Sequence, residues 1–463
     1  MNGAMAEAEG GGADWPVLPA HAGRTGEAFL TEEEAARRVL AGALEWIEAQ
    51  LDWFAPRRWE EYLPRRPFRP GPLLELLGLV RSLDRSGIMP VTAPLPSRAL
   101  DLAEETVREP EFARGLRRGD AFFPYHLNLT ALLELLGRPH PALRAACQAL
   151  LAADVGGHCR PYKPVLSRIE LRYFADRGGF TAPDGLPGLR ALHRESIAAR
   201  GADVLQLTGD ETYALTHVLF YATDFGHQHL PPHRGGTVAR LRETVRVLLG
   251  VHLARGSLDL LAELLLCDTV LDAGREAGPD PRRGQVRAPG RWRRAGWNAL
   301  AAAQRADGAV PGPVHRPEIL AGLVGDKSAA YLFGTCYHTT LASALAAASR
   351  KPGSAPVTAA PLRPSGSTGP PLPRAHPEEI RRWVRTETVA ARTASPAVRA
   401  ELAACLDPLL ALAVQARDLA VLTDVVRAAE RLGHGGGPLV RSAATLLAAW
   451  GSGPVPMPGG GEE

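Results

Sequence analysis

The chain has 463 residues, 45% of them hydrophobic and 22% charged, with a formal net charge of +3. That balance is ordinary for a globular protein and excludes a mainly disordered chain, a collagen and a simple coiled coil. Basic residues such as Arg37, Arg38, Arg114 and Arg117 alternate with acids on helical faces, so the charge marks a solvated surface and no nucleic-acid partner is expected.

Residues 1–30, rich in Gly, Ala and Asp, read as a loose arm, and Met1–Ala20 lacks the basic-then-apolar pattern of a leader, so a cytoplasmic location is expected. One helix is predicted from Thr31 to Phe54. Leu40, Leu44, Ile47, Leu51 and Phe54 form its apolar stripe, and Thr31 with Glu34 has the form of a capping box. Further helices are predicted over Pro72–Asp84, Ala99–Arg108, Tyr125–Gly137, Pro141–Ala153, Leu166–Asp176 and Leu186–Ala199. The series continues with Asp210–Thr223, Val238–Leu253, Ser257–Ala273, Arg294–Arg305 and Lys327–Ser349, with Gly and Pro at nearly every junction. No sustained alternation of β-branched residues marks a strand, so the chain reads as all-α. Glu263 and Asp268 interrupt the longest apolar stretch before it reaches membrane-spanning length, and no membrane partner is expected. The body therefore runs over 31–349, and a Pro/Gly/Ser-rich linker follows over 350–375. Residues 376–450 carry a few more helices, with Leu406, Leu409 and Leu410 on an apolar face. They are too few to bury a strong core alone and are expected to dock on the body. Residues 451–463 read as a frayed tail.

Two segments repeat weakly. LLGLVRSLDRSGIMP (Leu76–Pro90) and ALAAAQRADGAVP (Ala299–Pro311) are each a helix ending in a polar, glycine-containing turn, two apolar residues and a proline. The second resembles the helix-terminating turn of α/α-toroid proteins: terpene cyclases, protein prenyltransferases and lanthionine cyclases. It departs from the terpene-cyclase form in carrying Val310 in place of tryptophan. The resemblance implies an α/α toroid of helical hairpins; hairpins of this period also stack as an open α-solenoid.

The chemistry-bearing residues concentrate in two runs. In DETYALTHVLFYATDFG (Asp210–Gly226), Tyr213, His217, Phe220 and Asp224 fall within about 60° of one helical face, with Tyr221 at its edge. Burying those groups without partners costs several kcal/mol; lining a polar cavity avoids that cost. The alternative is a hydrogen-bonded core histidine and a helix-capping aspartate. In FGTCYHTTL (Phe333–Leu341), Thr335 is a candidate N-cap, which places Cys336 in a first helical turn where the dipole lowers a thiol pKa, and His338 just after it. The alternative is a small buried cysteine beside a packing histidine.

A metal reading is also open. Cys267, Cys336 and His338 follow nearly the order of the toroid lanthionine cyclases' zinc ligands, but positions i and i+2 of a helix point about 200° apart, so no metal is expected. His227, His229 and His233 form a second cluster, read as a proline-stiffened surface loop. There is no phosphate-binding loop, no dinucleotide fingerprint, no H-E-x-x-H and no acidic terpene-synthase motif, and no cofactor is expected.

The runs Tyr213–Gly226 and Tyr337–Leu341, with Arg168–Tyr173, resemble an actinobacterial family of unassigned function. Together these features lead to an enzyme in which His217 and His338 act as acid and base, Asp224 steadies an imidazolium and Tyr213 donates to an oxyanion. Phe220, Tyr221, Tyr337 and Cys336 would contact substrate. Resemblance to the lanthionine cyclases implies tailoring of a bacterial peptide natural product by thiol addition to a dehydroamino acid, alongside other biosynthetic enzymes. The alternatives are a non-catalytic scaffold binding a peptide or partner protein, and an isoprenoid- or carbohydrate-active toroid enzyme.

Overall fold

The computed structural model describes residues 30–230, 237–273, 290–350, 372–391 and 394–451. The expected N-terminal arm, most of the linker, His233 and nearly all of the tail lie outside these residues. Among the described residues the chain is all-α, with no strand. In chain order the helices are α1 (Glu32–Ala49), α2 (Pro56–Tyr62), α3 (Gly71–Arg85), α4 (Pro94–Arg108), α5 (Pro110–Arg118), α6 (Phe123–Leu135) and α7 (Pro141–Ala152). Next come α8 (Val165–Arg177), α9 (Leu189–Glu195), α10 (Ile197–Arg200), α11 (Gly209–Thr223), α12 (Thr237–Arg255) and α13 (Leu258–Ala273). The series ends with α14 (Arg291–Ala303), α15 (Pro317–Leu320), α16 (Gly325–Ala348), α17 (Pro377–Ala390), α18 (Pro396–Gln415), α19 (Leu419–Arg431) and α20 (Pro438–Gly451). No described helix is long and apolar enough to cross a membrane.

The capping box forms as expected: Thr31 N–H donates to Glu34 Oε2 at 2.8 Å, and Glu34 N–H donates to the Thr31 hydroxyl at 3.2 Å. The first helix nevertheless stops at Ala49, and Leu51–Phe54 is a 3₁₀ turn. Its buried stripe is Ala35, Ala36, Val39, Ala43, Trp46 and Ile47, whereas Leu40 and Leu44 are only half-buried. Small alanines allow α1 to lie close to α14 and α16. Gly308, at φ 91°, shows how close the packing is, because a Cβ there would fall 2.0 Å from the Gly42 carbonyl oxygen. That approach gives the glycine of the second repeated turn its physical reason.

Helices α2, α5 and α15, absent from the sequence prediction, begin with Pro56, Pro110 and Pro317. Proline there is pre-organised for the first helical turn and loses no hydrogen bond, so what reads as a break is a start. The predicted Leu186–Ala199 helix divides into α9 and α10 at Ser196, which is extended.

The described residues cluster into two units. The first draws on Met1–Gly201, Tyr213–Arg242 and Ser257–Ser354; the second on Ala202–Thr212, Glu243–Gly256 and Ala355–Glu463. Within the second, Leu406, Leu409 and Leu410 of α18 are fully buried, and Arg246 pairs with both Glu243 and Asp407. Within the first, α3 packs on α6, α6 on α8, α13 on α16 and α16 on α3. Helix α13 is apolar on every side, with Leu261, Leu264 and Leu265 fully buried, the pattern of a helix enclosed by others.

Candidate active site

A cavity of about 110 Å³ lies in the first unit, lined by side chains from α3, α6, α8, α11, α13 and α16 and by Phe225. Leu74, Leu79, Leu132, Phe220, Leu266 and Leu341 make much of its wall apolar, while Glu75, Arg81, Glu170, His217, Glu263 and His338 supply the polar groups. Gly78, inside α3, also lines it, and a Cβ there would meet nothing within 4 Å. A mid-helix glycine costs about 1 kcal/mol relative to alanine, and here it leaves the cavity open.

Two histidines flank one buried carboxyl group. Glu263 Oε1 lies 3.9 Å from His338 Nε2, and Glu263 Oε2 lies 3.7 Å from His217 Nδ1. Both separations exceed hydrogen-bond range. Glu263 instead accepts a hydrogen bond from the Thr216 hydroxyl at 2.5 Å. Burial pushes the Glu263 carboxyl up to about 8, against the opposing pull of His338 and Thr216, so it is largely neutral at pH 7.

His338 and His217 are tuned in opposite directions. Burial alone would strip the proton from His338. Its Nδ1–H donates to Glu75 Oε2 at 2.8 Å, however, and that carboxylate overrides burial and raises the ring to about 9. Imidazolium is therefore the neutral-pH form. Its second donor, Nε2–H, is buried and has no hydrogen-bond partner among the described residues. His217 is pushed below its ordinary value by burial. Its Nδ1 lies 2.9 Å from the Tyr213 carbonyl oxygen, which can only accept, so Nδ1 carries the proton and Nε2 a lone pair. The cavity thus joins a neutral imidazole to a charged one.

Glu170 completes the polar wall. It accepts from Asn128 Nδ2 at 3.0 Å, and with burial it helps raise the neighbouring Tyr221 phenol well above its usual value. Phe220 and Tyr221 line the cavity, as expected of substrate contacts.

Other expected site residues lie elsewhere. Helix α11 ends at Thr223, so Asp224 leaves the helical arc; its φ is 49°, followed by Phe225 at 54° and Gly226 at 89°. Its carboxylate meets Arg81 at 3.0 Å, Arg85 at 2.7 Å, Arg177 at 3.3 Å and the Tyr173 hydroxyl at 2.6 Å, and steadies neither histidine. Burial alone would raise that carboxyl, but Tyr173 and the arginines hold it below the usual range. The Tyr213 hydroxyl donates to Asp259, and Tyr213 is not part of the lining. Tyr337 packs among Phe54, Trp59 and Phe333 with its phenol beside Glu75 and Arg66, behind the lining. Helix α16 begins at Gly325, so Thr335 is no N-cap and Cys336 lies mid-helix. There its Sγ approaches His315 Nδ1 at 3.8 Å, and burial raises the thiol to about 11. Cys267 is fully buried, which raises its thiol well above the usual value, and its Sγ lies 3.9 Å from the Thr216 carbonyl oxygen. Among the described residues no three His, Cys, Asp or Glu side chains are grouped as metal ligands, so Cys267, Cys336 and His338 do not form the zinc set considered above.

Glu75 and Glu263 are not among the expected site residues, although the sequence carries a signal for both. They sit in LLELLG and LLAELLLC, where leucines occupy every face of the helix. A charge within an all-round apolar helix has no solvent side to turn to. The signal is not specific: Glu134 sits in the same LLELLG pattern and pairs with Arg144.

No curated protein and no solved structure matches the chain. A family model described as a domain of unknown function, DUF6895, matches residues 40–348, more than half of the chain and the whole of the cavity lining. The chain belongs to the DUF6895 family.

Proposed function

We propose that the first unit is an acid–base enzyme acting on a small, largely apolar substrate, with His217 Nε2 taking a proton and His338 Nε2–H giving one. The observation that carries this is the orphaned, buried Nε2–H of a charged His338, in the same cavity as a neutral His217. An unpaired buried donor is costly, and a substrate oxygen would satisfy it. One proton removed and one returned suits addition, elimination or cyclisation, and needs no redox partner.

Thiol addition to a dehydroamino acid is the reaction of this class that we favour. A substrate thiol would lose its proton to His217, the new carbon–sulfur bond would form, and the enolate would collect the His338 proton. The thiol would come from the substrate, because Cys336 and Cys267 are buried and held as thiols. An α/α toroid would place such a cavity at its centre, and the six lining helices support that arrangement. The cavity admits roughly eight water-sized positions, enough for one modified side chain and its near neighbours.

The test is adduct formation between dehydroalanine-containing peptides and a thiol, followed by mass spectrometry. The wild type should accelerate it, and His217→Ala and His338→Gln should each lose roughly 10²–10⁴-fold. Gly78→Leu, which fills the cavity, should keep the fold and lose the activity. Rates equal to the uncatalysed reaction in the wild type would defeat thiol addition; equal rates in wild type and both histidine variants would defeat the acid–base pair.

A further inference from the structure

Arg81, Arg85 and Arg177 converge on the single carboxylate of Asp224, so the group carries two positive charges in excess. Tyr173 fills the remaining place on that carboxylate, and its hydroxyl also lies 3.0 Å from Arg81 Nη1. Nearby His227 adds no negative charge. A cluster built only for stability would balance its ions more closely, because each buried cation left short of a partner carries a desolvation cost.

The cluster is also attached to the cavity. Arg81 and Tyr173 are both in the lining, and Phe225, next to Asp224, is the lining residue supplied by the turn after α11. Arg85 and Arg177 keep 30% and 26% of their side-chain surface accessible, while Asp224 keeps none. Arg85 and Arg177 stand outside the lining, beyond Arg81, with side-chain surface still accessible, and among the described residues Asp224 is the carboxylate that pairs with all three arginines. Three consecutive left-handed residues, Asp224, Phe225 and Gly226, hold this arrangement. For non-glycine residues such backbone costs about 1–3 kcal/mol each and persists where the surroundings over-determine it.

We infer that Arg81, Arg85 and Arg177 form an anion subsite at one end of the cavity that receives a carboxylate of the substrate, with the apolar walls taking its tail. Guanidinium groups match planar carboxylates with paired hydrogen bonds, and the leucine and phenylalanine side chains of the lining suit an apolar tail. The inference rests on the acid–base reading and deepens it by placing a carboxylate on the substrate, which for thiol addition is the terminal carboxylate of a short dehydroamino-acid peptide. Bound in this way, the acid would present its carbon chain to the lining shared by His217 and His338.

The experiment is calorimetric titration of the full chain with hexanoate, hexan-1-ol and hexyl phosphate at pH 7. Hexanoate should bind roughly tenfold or more tightly than hexanol, the scale of a charge-assisted hydrogen bond. Arg85→Gln and Arg177→Gln, made singly so that two arginines stay on Asp224, should each lose most of that preference and leave hexanol binding unchanged. His338→Gln, which removes the other cation of the cavity, should retain it. Hexanoate and hexanol binding alike, or a preference that survives both arginine variants, would overturn the subsite. Hexyl phosphate binding more tightly than hexanoate would overturn the carboxylate assignment. No turnover is measured, so the subsite stands or falls separately from the acid–base chemistry: loss of the preference in His338→Gln alone would place the anion at that imidazolium and reject the arginine site.

Discussion

Glu75→Gln should return the His338 ring from about 9 toward its ordinary 6.5, because burial then acts on the imidazolium with only the weaker pull of Glu263 and Asp259 to oppose it. The sign follows from linkage. In the wild type the folded value lies above the unfolded one, so the stabilisation is complete below pH 6.5 and is lost as pH rises through 9. At about 1.4 kcal/mol per tenfold, the change removes roughly 3 kcal/mol near pH 6. Glu263, raised to about 8 from 4.5, adds to the same trend: its contribution is complete below pH 4.5 and lost as pH passes 8. Urea unfolding at pH 6 and pH 10 checks this. The gap between wild type and variant should be wide at pH 6 and narrow at pH 10. A gap independent of pH would mean that Glu75 supports the helix packing and not the charge on His338.

Asp224→Ala should be the most destabilising single change in the first unit, at about 3–5 kcal/mol, because it leaves Arg81, Arg85 and Arg177 without their shared carboxylate. Arg81 is the least able to escape, with 10% of its side-chain surface accessible. The turn that holds Phe225 against the cavity would lose its anchor as well. Since the Asp224 carboxyl is held below its ordinary value, its contribution is present above about pH 4 and lost as pH falls further. Tyr173→Phe, which removes two hydrogen bonds to charged groups and keeps every charge pair, should cost less, about 2 kcal/mol. Equal losses for the two variants in thermal unfolding would contradict the ion-pair account.

The all-α class was legible because no alternation of β-branched residues reads as a strand, because α1, α4 and α19 keep a clear apolar face, and because glycine marks the ends of α3, α5, α6, α8, α12 and α19. Boundaries fared well at Pro141 and less well at Pro56, Pro94, Pro110 and Pro317, where proline also began a helix, since proline favours a helix start as strongly as it forbids an interior. Two site residues, His217 and His338, were legible as polar groups in apolar runs. Their tuning was not: His338 depends on Glu75 and Glu263, which come from α3 and α13, and His217 on burial, and both arise only through tertiary packing. Asp224 misled for a local reason: at 100° per residue it falls under His217, but the chain turns left-handed one residue earlier than that arc requires.

The central claim is that one cavity holds a neutral imidazole and a charged one at the same pH. Imidazole ¹⁵N NMR between pH 5 and 10, with His217→Gln and His338→Gln used for assignment, measures this directly. At pH 7.5 His338 should show both nitrogens protonated, titrating only near 9, while His217 should show a single proton on Nδ1. A neutral His338 at pH 7.5, or a His217 protonated on Nε2, would contradict the account.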